Sequence, residues 1–119
     1  MGDLSEHFSR KEFACRCGCG QDTVDAKLIQ VLERLRTHYD GQPIRINSGN
    51  RCVEYNRRIG GKQHSQHLLS KAADIVVGDI EPGDVYMTLD RLYPGKFGVG
   101  SYHNFTHVDV RDKKARWRA

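Results

Sequence analysis

No stretch of this 119-residue sequence approaches the roughly 20 consecutive apolar residues that a membrane-spanning helix needs, so no membrane partner is expected. The opening residues 1–10 are polar and lack the apolar centre of a secretory leader. Synthesis in the cytoplasm is expected, with any export by another route. Internal repeats and low-complexity tracts are missing. Proline is scarce, and two of its three occurrences, Pro43 and Pro82, stand at helix boundaries. The four cysteines lack the paired two-residue spacing of a zinc knuckle or ribbon, since Cys15, Cys17 and Cys19 alternate and Cys52 lies far away. They therefore suggest free thiols, a disulfide formed after release from a reducing compartment, or a four-cysteine structural zinc site if Cys52 folds back onto the loop.

What is present describes a globular chain. Apolar residues make up 38% and charged residues 29%, a balance that excludes a disordered polypeptide. The length fits a single domain over residues 1–119, expected to be a monomer with a modest core. The net charge of +4 is weighted toward the C-terminus by Arg111, Lys113, Lys114, Arg116 and Arg118. Such a tail can bind polyanions, but here it is expected to be a solvated, frayed end, and no nucleic-acid partner is expected.

Ser9 and Glu12 have capping-box spacing and predict a short helix. Val24, Leu28, Val31, Leu32, Leu35 and Tyr39 recur at helical spacing, which predicts a helix capped by Asp22 or Thr23 and stopped at Gly41. Ile44 and Ile46 alternate with polar residues as on a strand. Residues 51–59 read as a short helix, 62–71 as a loop and 72–77 as a buried strand. Pro82 opens a further helix that turns Val85, Leu89 and Leu92 inward. Residues 97–102 and 105–110 read as two final strands. The fold class is α+β, with a small, mostly antiparallel sheet flanked by helices.

Chemistry gathers where the polar loop holding His67 runs into the apolar strand holding Asp74. A bare carboxylate among Ala73, Ile75, Val76 and Val77 is expensive to bury, and a bound cation removes that cost. Histidine nitrogen and carboxylate oxygen both suit zinc. His107 supplies a third donor, and the period of two sets Asp109 on its face, where it can orient the imidazole. By spacing alone, His64 with His67, or His103 with His107, also sit close enough to share a metal.

The motifs extend well beyond these donors. Ser65-Gln66-His67 precedes Asp74 by a short interval, and Phe105-Thr106-His107-Val108-Asp109 follows Gly98-Val99-Gly100. The segment from Ser48-Gly49-Asn50-Arg51 to Tyr55-Asn56 is followed by Gly60-Gly61, and Phe8 to Phe13 opens the chain. This ordered set resembles the zinc D-alanyl-D-alanine carboxypeptidases and the related phage L-alanyl-D-glutamate endolysins. The resemblance implies zinc held by His67, Asp74 and His107, and a peptidoglycan stem peptide as substrate and partner. It implies that Arg51 binds the substrate or its developing oxyanion, and that Ser65 lies near the substrate. Together with the polar opening residues, it favours a phage or prophage lysis enzyme that waits in the cytoplasm and acts on the cell wall after release, or a virion part. The cysteines fall on none of these positions and are expected to be dispensable for catalysis.

One position departs from the pattern. Many active members carry an acidic general base three residues before the last zinc ligand, where this chain has Asn104. Others place a histidine two residues before it, where this chain has Phe105. His103 and Asp109 are therefore the expected replacements. A module that keeps the zinc but only binds peptidoglycan or a protein, and a nucleic-acid module built on the cysteines and the basic tail, are the rival expectations.

Overall fold

In the computed structural model, which describes residues 2–119, the apolar patterning resolves into a five-stranded sheet packed on helices. Helix α1 (Arg10–Phe13) begins with the capping box expected of Ser9 and Glu12. Helix α2 (Ala26–His38) buries Leu28, Ile29, Val31, Leu32 and Leu35. Its cap is Asp25, whose carboxylate accepts from the Lys27 amide at 2.8 Å, and not Asp22 or Thr23. The apolar stripe defines the buried face of a helix, but the first turn is set by whichever side chain reaches the orphan amides. Strand β1 (Ile44–Ser48) precedes helix α3 (Val53–Arg58). The expected loop over residues 62–71 holds a single 3-10 turn, Gln66–Leu69, before strand β2 (Ala72–Val77). Helix α4 (Pro82–Leu92) leads to β3 (Gly98–Ser101), β4 (Thr106–Asp109) and β5 (Ala115–Arg118).

The sheet order is β1-β2-β4-β3-β5. Three of its pairings are antiparallel, while β5 runs parallel to β3, so the sheet is mixed. The fifth strand corrects the expectation of a frayed basic tail. Arg116 donates to Asp90 at 2.7 Å and to the carbonyls of Tyr93 and Phe97, each at 2.7 Å, which ties the last strand to the end of α4. Arg111 forms a paired contact with Asp109, from Nε at 2.8 Å and Nη2 at 2.7 Å. Two of the tail's bases are thus neutralised by carboxylates within the fold.

Alternation along the strands separates the two faces of the sheet. Ile44, Ile46, Ala73, Ile75, Val77, Val99, Val108 and Val110 are buried on one face in a single core with α2, α4, Phe8 and Phe13. Asp74, His107 and Asp109 occupy the other face. None of the helices among the described residues is long and apolar enough to cross a membrane.

Candidate metal centre and its cavity

Strand register places the chemical residues in one row. Ser48 pairs with Asp74, Asp74 with His107, His107 with Gly100, and Gly100 with Trp117. The row crosses all five strands, and paired residues point to the same face. Asp74 and His107 are therefore direct cross-strand neighbours. His67 reaches the row from the 3-10 turn, which Ser65 caps by accepting from the His67 amide at 3.2 Å.

The three donors converge. Nε2 of His67 lies 3.3 Å from Oδ1 of Asp74, and Nδ1 of His107 lies 3.0 Å from the same oxygen. All three side chains are buried, and their ligand atoms lie within 4.8 Å of one another. The far nitrogen of each ring is already engaged. Nδ1–H of His67 donates to the Gly49 carbonyl at 2.6 Å, and Nε2–H of His107 donates to Asp109 at 2.8 Å. A carbonyl and a carboxylate can only accept, so both protons are fixed on those outer nitrogens. In its neutral form each ring then turns a lone pair toward the Asp74 carboxylate. That arrangement is repulsive unless the rings are doubly protonated or a cation lies among the three donors.

Either arrangement adds two positive charges beside Arg51, so the nature of the donors, not the charge, points to a metal. Two buried imidazolium rings, with centroids 5.2 Å apart, would stand beside the Arg51 guanidinium, 3.4 Å from Asp74. Without a metal, burial works to raise the Asp74 pKa, but hydrogen bonds donated by His107 and His67 when their inner nitrogens also carry protons outweigh it and hold the carboxyl well below the usual range. Burial likewise disfavours a charged His107, and the carboxylates of Asp109 and Asp74 at its two nitrogens push its pKa up regardless. Asp109 is raised by burial, yet His107 and Arg111 keep it ionised far below the ordinary carboxylate pKa. Two neutral histidines and one carboxylate, each histidine oriented by an acceptor behind it, are a donor set suited to zinc. The residues present fit that ion.

The centre forms the floor of a cavity of about 490 Å³. One wall carries Arg51, Gly61, Lys62, His64 and Ser65. The opposite wall carries Tyr102, Phe105, Arg111 and Trp117. Arg51 is held by three partners: Nε donates to Ser48 at 3.2 Å, Nη1 to Asn56 at 3.1 Å and Nη2 to Asp74 at 3.4 Å. Asn56 also donates to the Lys62 carbonyl at 2.8 Å, so one buried amide sets both the guanidinium and the turn beside it. A side chain at Gly61 would run into Asn56, which explains a glycine at this close approach.

The aromatic wall was invisible to patterning. Tyr102 and Phe105 stack with centroids 4.5 Å apart, Trp117 donates to the Tyr102 hydroxyl at 2.9 Å, and the indole lies 5.1 Å from the His107 ring. Only the alternation of Ala115-Arg116-Trp117-Arg118 hinted at this last strand. Gly100 makes room for the indole, because a Cβ there would collide with the Trp117 ring. A Gly100→Ala protein is expected to be destabilised by about 1–3 kcal/mol, the usual cost of overpacking. It should also show altered tryptophan fluorescence. An unshifted denaturation midpoint with unchanged emission would refute this packing.

The other expected site residues fall in different places. Asp109 is fully buried behind His107, in contact with Arg111 and away from the cavity. His103 is exposed on the β3–β4 loop and is not part of the cavity wall, and Asn104 beside it is also exposed. His64, considered from the sequence only as a metal partner, stands in the wall. Asn50 stands in the Ser48 to Asn56 motif, but nothing in the pattern marked a role for it. Buried, it donates to Thr23 and Ser70 and accepts from Gln21, joining the loop that carries Gly49 and Arg51 to two distant segments.

Similarity supports the same reading of the chain. A family model described as peptidase M15 matches residues 6–109, a span that includes the whole cavity floor and the Arg51 loop. No curated protein matches the sequence.

Proposed function

Because this chain belongs to the peptidase M15 family, the zinc D-Ala-D-Ala carboxypeptidase-like metallopeptidases, we propose that it hydrolyses a peptide bond in the stem peptides of peptidoglycan. The observation that carries this reading is the setting of the His67, Asp74 and His107 donors. They lie at the base of a cleft whose walls present Arg51, Lys62 and Arg111. Stem peptides are short and rich in free carboxylates, and Arg51 and Lys62 on one side of the cleft attract and orient such a chain, while Arg111 is already paired with Asp109. The aromatic wall of Tyr102, Phe105 and Trp117 gives the apolar parts of the peptide a surface to lie on.

Zinc held by His67, Asp74 and His107 would act as a Lewis acid toward the scissile carbonyl and activate water for the attack. The chain's own side chains supply the rest. Arg51, preset by Ser48 and Asn56, offers donors to the developing oxyanion or to a substrate carboxylate. Asp109 keeps the His107 proton on Nε2 and so leaves Nδ1 facing the centre. Ser65 holds the 3-10 turn that delivers His67, and it also borders the substrate space. We assign proton collection to His64, the imidazole in the cavity wall, and take His103 as its rival on the adjoining loop. His64→Ala should retain zinc and lose about two to four powers of ten in turnover, the usual scale for a lost acid–base group. His103→Ala should turn over nearly normally. The reverse pattern transfers the role to His103.

Such a protein would act on the cell wall as a monomer after leaving the cytoplasm, as a phage or prophage lysis enzyme or virion part does. The presence of Asn104 where many members carry an acid favours one alternative, a zinc-containing module that binds peptidoglycan without cutting it. Incubating the zinc-loaded protein with purified muropeptides, followed by mass spectrometry, separates the two. Products shortened at one defined bond support the peptidase. Unchanged muropeptides retained by the protein support the binder.

A further inference from the structure

The second cluster of metal-binding side chains lies outside the cavity. The sulfurs of Cys15, Cys17, Cys19 and Cys52 all lie within 4.8 Å of one another, although Cys52 is more than thirty positions away in sequence. The Cys15–Cys17 sulfur distance is 3.4 Å and the Cys17–Cys52 distance 3.7 Å. A tetrahedral zinc with bonds of about 2.3 Å sets its four sulfurs about 3.8 Å apart. All four cysteines are free. Gly18 and Gly20 adopt φ of +84° and +87°, which bends the chain on either side of Cys19 and turns alternate cysteines toward one point. Backbone amides already point at the sulfurs: the Cys52 amide donates to Cys15 Sγ, and the Tyr55 amide to Cys52 Sγ, each at 3.4 Å. Amide donors of this kind stabilise thiolate, the form that binds metal.

We propose that these four cysteines bind a second, structural zinc ion that clamps residues 15–19 to the loop carrying Arg51. Four thiolates are soft donors that suit zinc, and a set of four protein ligands closes the coordination sphere against water and substrate. The position gives the clamp a purpose. Cys52 follows Arg51 directly, the Asn50 amide donates to the Phe13 carbonyl at 2.7 Å, and the Arg51 amide donates to the His67 carbonyl at 3.1 Å. The Gly49 carbonyl in the same loop holds the outer nitrogen of His67. A metal joining Cys52 to residues 15–19 thus fixes the short segment on which both the guanidinium and the first histidine depend. The proposal does not rest on the peptidase reading, since it concerns ligands outside that cavity.

The test counts metal by native mass spectrometry and elemental analysis on reduced, zinc-loaded full-length protein. Wild type is expected to hold two zinc ions. The His67→Ala/His107→Ala protein is expected to keep one, and a Cys17→Ser/Cys52→Ser protein to keep the other. If the serine variant does not fold, the histidine variant still decides. Its remaining zinc should be released by a mercurial thiol reagent at one ion per four thiols. Cobalt in its place should show sulfur-to-metal charge-transfer absorption, and a chelator should lower its Tm. A histidine variant that holds no zinc, and whose four thiols react freely without any chelator, overturns the proposal. Iron in place of zinc in that variant overturns the assignment of the ion. Two zinc ions in a wild type that leaves muropeptides intact would sink the peptidase reading and leave this one standing.

Discussion

A His107→Ala protein is expected to lose the zinc of the cavity floor and, with it, all measurable peptide hydrolysis, while the sheet remains folded. His107 is the central donor of the row, opposite Asp74 on β2 and Gly100 on β3. Its removal leaves His67 and Asp74 as a pair, and open zinc sites use three protein ligands. It also strips the acceptor Asp109 of one of its two partners. Arg111 still contacts both oxygens of that carboxylate, so Asp109 does not become an unpaired buried charge. That retained pair is why loss of function is expected to exceed loss of fold. Metal analysis beside circular dichroism checks it. If His67→Ala and His107→Ala proteins both retain full zinc at the non-cysteine site, the assignment of the donors is wrong.

Arg51→Ala is expected to lower turnover by about a hundredfold or more, the scale for removing one preorganised donor to a developing oxyanion. Folding should change far less. The guanidinium is held by Ser48, Asn56 and the Asp74 carboxylate, so its orientation is set before substrate arrives. Lysine should rescue little, because a single ammonium cannot satisfy Ser48, Asn56 and a substrate oxygen from one point. Asn56→Ala is the companion measurement. It frees Nη1 and the Lys62 turn without touching the zinc donors, so it should lower turnover with metal content unchanged. Equal turnover of the Arg51→Ala and wild-type proteins would remove Arg51 from the mechanism.

The acidic residue that many family members place three positions before the last ligand is absent here, and the fold shows why its neighbours differ in value. Asp109 is acidic and close in sequence to His107, but it is locked in a buried pair with Arg111 and spends its acceptors on the His107 proton. His103 is exposed beyond the wall, while His64, forty-three positions before His107 in sequence, lines the same cavity. Sequence proximity to a ligand does not measure proximity to the reacting atoms. The β3–β4 turn carries His103 past the wall, and the turn after α3 brings His64 into it.

Local pattern determined a good deal. The apolar stripe from Leu28 to Leu35 had only one face to bury, and helix α2 buries it. The alternation of His107, Val108 and Asp109 put the two polar residues on one side of β4, and they meet there at 2.8 Å. A carboxylate amid the apolar residues 72–77 had to be compensated, and two histidines and an arginine surround it. These outcomes were legible because helix and strand periods are properties of consecutive residues. Tertiary structure alone decided the rest. It paired β5 in parallel with β3, converting a basic tail into the strand that sets Trp117 over Gly100 and against His107. It brought Cys52 to three cysteines at the start of the chain, gave Asn50 and Asn56 their buried partners, and chose which histidine faces the cavity. Those outcomes depend on which elements become neighbours. Neighbours are selected by burying apolar faces and satisfying backbone donors across the whole chain, a balance that no local window contains.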